Sequence, residues 1–136
     1  MDRRLIGEKL EVLRRCIKRI EEKRIASTQI LAADPDLQDI ISLNLTRAVQ
    51  LCVDIAAHII AESNATAPDT MARAFDVLAD LKVIEPNLAD KMKKAVGFRN
   101  IAVHNYQAID WEIVYNICHK NLDDFRLFAQ AIAKAL

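Results

Sequence analysis

The chain has 136 residues, 52% of them apolar, with 19 basic and 19 acidic side chains but only two glycines and three prolines. That length suits one domain spanning 1–136 and excludes two substantial ones, and the apolar share can fill a core rather than leave a solvating tail. A formal charge of zero excludes a generally basic nucleic-acid coat, though not a local basic site.

Cys16, Cys52 and Cys118 are widely spaced, form no CxxC pair and are odd in number. They read as reduced, partly buried thiols of a cytoplasmic protein. The opening Met-Asp-Arg-Arg is charged and no apolar h-region follows, so it is not a signal peptide. No run approaches the ~20 apolar residues of a membrane span, so no membrane is expected.

Apolar residues recur at alternating steps of three and four, the helical period. Ile6, Leu10, Leu13, Ile17 and Ile20 form one stripe, and a first helix is predicted over about 3–31. Asp34-Pro35-Asp36 breaks it, with Asp34 as N-cap and Pro35 opening a second helix over 35–62. Its stripe is Ile41, Leu45, Ala48, Cys52, Ile55 and Ile59. After the polar loop from Ser63, Pro68 is expected to open a third helix over 68–82, and Glu85-Pro86 starts a fourth over 86–103. Asp110 caps a fifth over 111–135, where Trp111, Val114, Cys118, Leu122, Phe125 and Ile132 line up. Five helices, each with one apolar stripe, describe an all-α up-and-down bundle whose pieces pack together or dimerise.

Charge is distributed unevenly. Residues 1–25 hold nine Lys/Arg against five Asp/Glu, residues 34–90 three against ten, and residues 91–104 four against none. The first helix's charges read as a solvated face. The cluster at 91–104 leads into the one dense polar constellation, Gly97-Phe98-Arg99-Asn100-Ile101-Ala102-Val103-His104-Asn105-Tyr106. On an unbroken helix Arg99 and His104 stand roughly 140° apart. They converge if the helix ends near Val103 and turns at His104-Asn105, where Asn tolerates left-handed angles, or if each faces a second copy across a dimer.

Arg is a permanently charged, planar, bidentate phosphate ligand. His has an unperturbed pKa near neutrality and moves protons at cellular pH. Together they suit RNA cleavage without a metal: the imidazole handles the 2′-hydroxyl or leaving-oxygen proton, and the guanidinium holds the phosphate and its developing charge. Tyr106 adds a hydroxyl for hydrogen bonding, stacking or covalent modification. Spacing alone reads first as a helix cap and a surface ion partner rather than an enzyme.

The string Arg99-x4-His104-x-Tyr106 resembles the RX4HXY motif of the HepT toxins, members of the HEPN superfamily of small helical ribonucleases. Phe75-Asp76-Val77-Leu78, Leu81-x-Val83-Ile84, Leu88-Ala89 and Val96-Gly97-Phe98-Arg99-Asn100 are similar to that family's run into its motif. So is Asn44-x-x-Arg47-Ala48-x-Gln50-Leu51-x-x-Asp54-Ile55-Ala56. Asn105 departs from the pattern, since many relatives carry Gly there. The resemblance covers essentially the whole chain. It implies a HEPN-like homodimer in which two Arg/His motifs share one cleft and cut RNA with no metal and no cofactor. It also implies a partner antitoxin, a minimal nucleotidyltransferase (MntA-like), that transfers AMP to the motif tyrosine. By position, Arg99 and His104 become the catalytic pair and Tyr106 the AMPylated residue. Asn100 either orients the phosphate or caps the broken helix.

Asp54 precedes His58 by one turn, which reads first as a helix-face salt link. A second reading has Asp54 reach the Arg99/His104 cleft and orient one of the two, a supporting role beside Asn100. His119-Lys120 reads as surface and Trp111 as core. No H-E-x-x-H, P-loop, GxGxxG or G-x-S-x-G occurs. Two functions therefore stand: a ribonuclease toxin restrained by a nucleotidyltransferase, and a non-catalytic helical subunit that binds nucleotides or a nucleotidyltransferase.

Overall fold

The computed structural model describes residues 2–23 and 27–136, and every regular element within them is helical. In chain order these are α1 (Arg3–Lys23), α2 (Thr28–Ala33), α3 (Pro35–Ala61), α4 (Met71–Asp80) and α5 (Pro86–His104). A 3₁₀ turn over Tyr106–Ala108 then leads to α6 (Trp111–Asn116), a π-helical stretch (Ile117–Asn121) and α7 (Leu122–Ala135).

α3 is the axis of the bundle. It packs along α1 over the longest seam and also touches α2, α4, α5 and α7. Its expected stripe is buried throughout, and Val49, Val53, Ala56 and Ile60 extend that burial around the helix. α3 is long and apolar enough to cross a membrane by length and composition, with a mean hydropathy of 1.4 in its most apolar window. Half of that window is buried inside the bundle, which is what a core helix requires. On α1, Ile6, Leu13, Ile17 and Ile20 are buried, with Leu10 at the edge. Phe75 of α4 meets Phe128 of α7 edge to face, 5.8 Å between centroids. The three cysteines are buried, and burial pushes the thiols of Cys16 and Cys52 upward.

Several expected boundaries stand. The Asp34 carboxylate accepts from the Leu37 N–H at 3.1 Å, with Pro35 at the first helical position. Pro86 opens α5, and Asp110 caps α6 by accepting from Glu112 N–H at 3.0 Å.

Other boundaries move. The first helix is not continuous to residue 31: Ser27 is extended and caps α2, while the expected passage through 24–26 lies outside the described residues. Pro68 does not open α4; Thr70 does, its hydroxyl accepting from Arg73 N–H at 3.2 Å. α4 stops at Asp80 because Lys82 turns left-handed (φ 63°), and Lys82 N–H and Val83 N–H close back on Ala79 and Leu78 carbonyls. The last helix is split by the π-helical stretch, which no glycine or proline announces.

Candidate active site

α5 carries the constellation to its end. The helix continues through His104, so Arg99 and His104 lie on one unbroken element, roughly 140° apart around it and about 7.5 Å apart along it. The helix ends one residue past Val103 and the chain turns after it, as expected, but Asn105 has φ −152°, not in the left-handed region. Within one protomer the two groups therefore face different directions. At ideal helical spacing this favours convergence across a pair of copies over convergence within one chain.

Arg99 is half-buried. Its Nη1 donates to Asn100 Oδ1 at 3.1 Å, while its Nε is buried with no hydrogen-bond partner among the described residues. No carboxylate among them pairs with it. Asn100 thus orients the guanidinium directly. His104 is exposed on the final turn of α5. The cationic run before the motif is largely spent internally: Lys93 pairs with Asp76 (3.1 Å) and Asp90, and Lys91 with Asp124 (3.7 Å). Arg99 therefore stands apart as a guanidinium whose charge is not internally matched.

After His104 the chain tightens. Ala108 N–H bonds to Asn105 C=O at 2.9 Å and Ile109 N–H to Tyr106 C=O at 3.1 Å. This turn lays the Tyr106 ring edge-on against Trp111, 5.8 Å between centroids, and aims its hydroxyl at α3. There it donates to Asp39 Oδ1 at 2.6 Å. Burial pushes the phenol up to about 12, the Asp39 carboxylate adds to the rise, and a hydrogen bond from Ser42 opposes it. Asp39 and Ser42 escaped sequence reasoning: they are 67 and 64 positions from Tyr106, in the opening turns of a helix where no motif marks them. Trp111, expected in the core, is half-buried and braces this tyrosine.

Asp54 lies elsewhere. Its carboxylate accepts from Gln50 Nε2 at 2.9 Å and pairs with Lys9 of α1 at 3.7 Å. It ties α1 to α3 and supports neither Arg99 nor His104 in this chain, and its ion partner is not His58. The α1 charges are mostly helix-face pairs such as Arg4–Glu8 and Arg14–Glu11, as a solvated face requires. Among the described residues no three His, Cys, Asp or Glu side chains cluster to hold a metal ion.

Beside the motif, α5 and the α6–α7 segment enclose an apolar groove of about 600 Å³ lined by Met92, Phe98, Ile109 and Phe125. Ile101 and Ile113 stand on it at 45% and 55% exposure, and Val103 is 48% exposed nearby. None of Arg99, His104 or Tyr106 lines it.

Comparison with known proteins extends this picture. A family model described as ribonuclease HepT-like matches residues 13–132. The chain is 38% identical to the mRNA nuclease HepT of Shewanella oneidensis, over 94% of this chain and 96% of that protein. It is 25% identical to the tRNA nuclease HepT of Aphanizomenon flos-aquae, over 94% and 87% of the two. The fold superposes with a TM-score of 0.89, at 37% identity over the full length of both chains, on a tri-AMPylated HEPN toxin of Shewanella oneidensis solved in complex with an MNT antitoxin.

Proposed function

We propose, from the premise that this chain belongs to the HepT-like ribonuclease family, that it is a cytoplasmic, homodimeric endoribonuclease toxin. In this reading residues 1–136 form one HEPN-like domain that cuts RNA without a metal through Arg99 and His104. A cognate minimal nucleotidyltransferase antitoxin silences it by AMPylating Tyr106. The observation that carries the reading is the unneutralised, half-buried Arg99 guanidinium on the same helix end as the exposed His104 imidazole.

The chemistry follows from what each group can do. The Arg99 fork binds the scissile phosphate and offsets the charge that grows on its oxygens. Asn100 fixes that fork from the adjacent position. The His104 imidazole accepts the ribose 2′-hydroxyl proton as that oxygen attacks phosphorus, or donates one to the departing 5′-oxygen. Because one protomer points the two side chains roughly 140° apart, a competent site takes motifs from two copies. The exposed Ile101, Val103 and Ile113 beside an apolar groove supply a face for that pairing.

AMPylation of Tyr106 would block this cleft in three ways. The adduct's phosphate repels RNA phosphate, and its base and ribose fill the space. An esterified phenol oxygen also has no proton to donate to Asp39, so the bond that docks the turn behind His104 is lost. The Shewanella oneidensis toxin, solved AMPylated and bound to its MNT antitoxin, supports extending this control to the present chain.

The decisive experiment incubates the unmodified chain with total RNA in EDTA. Cleavage is expected to persist there and to disappear in His104→Ala and Arg99→Ala, with far-UV circular dichroism unchanged. Cleavage that survives both substitutions removes the assignment. An inactive, stably folded wild-type chain would favour the non-catalytic subunit instead.

A further inference from the structure

We infer that Asp39 is a base built into the toxin for its own modification: its carboxylate holds the Tyr106 hydroxyl and takes the proton as that oxygen attacks the α-phosphorus of ATP. This deepens, and rests on, the reading of Tyr106 as the AMP acceptor.

The contact is a built one. Asp39 Oδ1 and Tyr106 Oη are 2.6 Å apart, within the range of O–H to carboxylate bonds, and they come from α3 and from the turn after α5. The phenol is located from two directions: the Trp111 edge bounds the ring, and Asp39 holds the proton. Among the described residues no Lys or Arg pairs with Asp39, so its charge is committed to the phenol rather than to an ion pair. With the O–H directed at Asp39, the oxygen's lone pairs are left for an incoming electrophile.

The proton also needs somewhere to go. Burial and Asp39 together hold the phenol up to about 12, so at neutral pH the free phenolate is scarce and the proton must leave during the transfer. In the step proposed, the bond from Tyr106 Oη to the α-phosphorus forms as the bond from that phosphorus to the pyrophosphate oxygen breaks. Pyrophosphate departs with the electron pair. The phenol proton passes to Asp39 and from there to water. Asp39 is the charged group that acts on this phenol; Ser42 beside it is neutral.

The test is the rate of AMP transfer from Mg·ATP to the full chain by its partner nucleotidyltransferase, followed by intact mass and peptide mapping. Wild type, Asp39→Asn and Asp39→Glu are compared from pH 6.5 to 9.5. Asn keeps the shape and accepts a hydrogen bond but cannot take the proton. It is expected to slow transfer by about 100-fold near neutrality. The gap from wild type should narrow as pH rises and phenolate forms without help. Glu should recover part of the rate. Wild-type speed in the Asn variant, or a deficit constant across pH, overturns the role of Asp39 while leaving Tyr106 as acceptor. If wild-type chain gains no adduct on Tyr106, the parent reading fails and this inference with it.

Discussion

Arg99 keeps a guanidinium half-buried with its Nε shut away from water and, among the described residues, from any acceptor. Leaving such a group unsatisfied costs about 1–3 kcal/mol, and an apolar residue there would avoid the cost. That imbalance is the physical reason to read Arg99 as retained for a ligand it meets only in use. Tyr106 departs from the ordinary in a different way. Its phenol rises from 10.0 to about 12 on folding, so the native chain holds a proton where the unfolded chain has released it. The stabilisation from that proton is whole below pH 10 and is lost as pH climbs through 12. Spectrophotometric titration at 295 nm should therefore show a tyrosine ionising near pH 12, absent in Tyr106→Phe. A Tyr106 signal titrating near pH 10 would contradict the burial and the Asp39 contact that raise it.

Among the helices, the turns decide more than the interiors. α4 ends in a Schellman arrangement whose left-handed position is Lys82, a side chain that strains there where glycine would not. Replacing Lys82 by Gly is expected to raise stability by up to about 1 kcal/mol, the relieved strain being partly offset by the freer unfolded chain. Denaturant unfolding with an unchanged m-value measures it, and a loss of stability would contradict the left-handed geometry. The same turns set the limits of sequence reading. Asp34, Pro35, Pro86 and Asp110 were legible because their capping chemistry acts within three residues. Thr70 was missed because Pro68, two residues earlier, is an equally good start signal. Ser27 was missed because helical periodicity ran on around it. The π-helical stretch inside the last helix adds a residue per turn without breaking the apolar register that reads Val114, Cys118 and Leu122 as one stripe.

Taken entire, the molecule buries one stripe from each long helix around α3 and leaves apolar side chains uncovered near the motif. In the proposed homodimer, the divergence of Arg99 and His104 on a single helix and the exposure of Ile101, Val103 and Ile113 would both be met by a second copy. Ile101→Asp is expected to shift the species seen by light scattering from dimer to monomer and to lower RNA cleavage with it, while helicity is kept. A charge placed in a buried apolar interface is left unpaired, which weakens association strongly. A monomeric wild-type protein that still cleaves RNA would break this link.

Helical class, the main breaks and the Arg99-x4-His104-x-Tyr106 constellation were all written in the order of residues, because period, caps and motifs are short-range. The resemblance carried by that constellation was legible for the same reason. Where the side chains end up was not. Asp54 sat at a spacing that suited a site and went instead to Lys9 on α1, while Asp39, with no local pattern to mark it, became the partner of Tyr106. Both outcomes depend on which helix lies beside which, and that is settled by burying every stripe at once around α3, a many-body condition that no local spacing encodes.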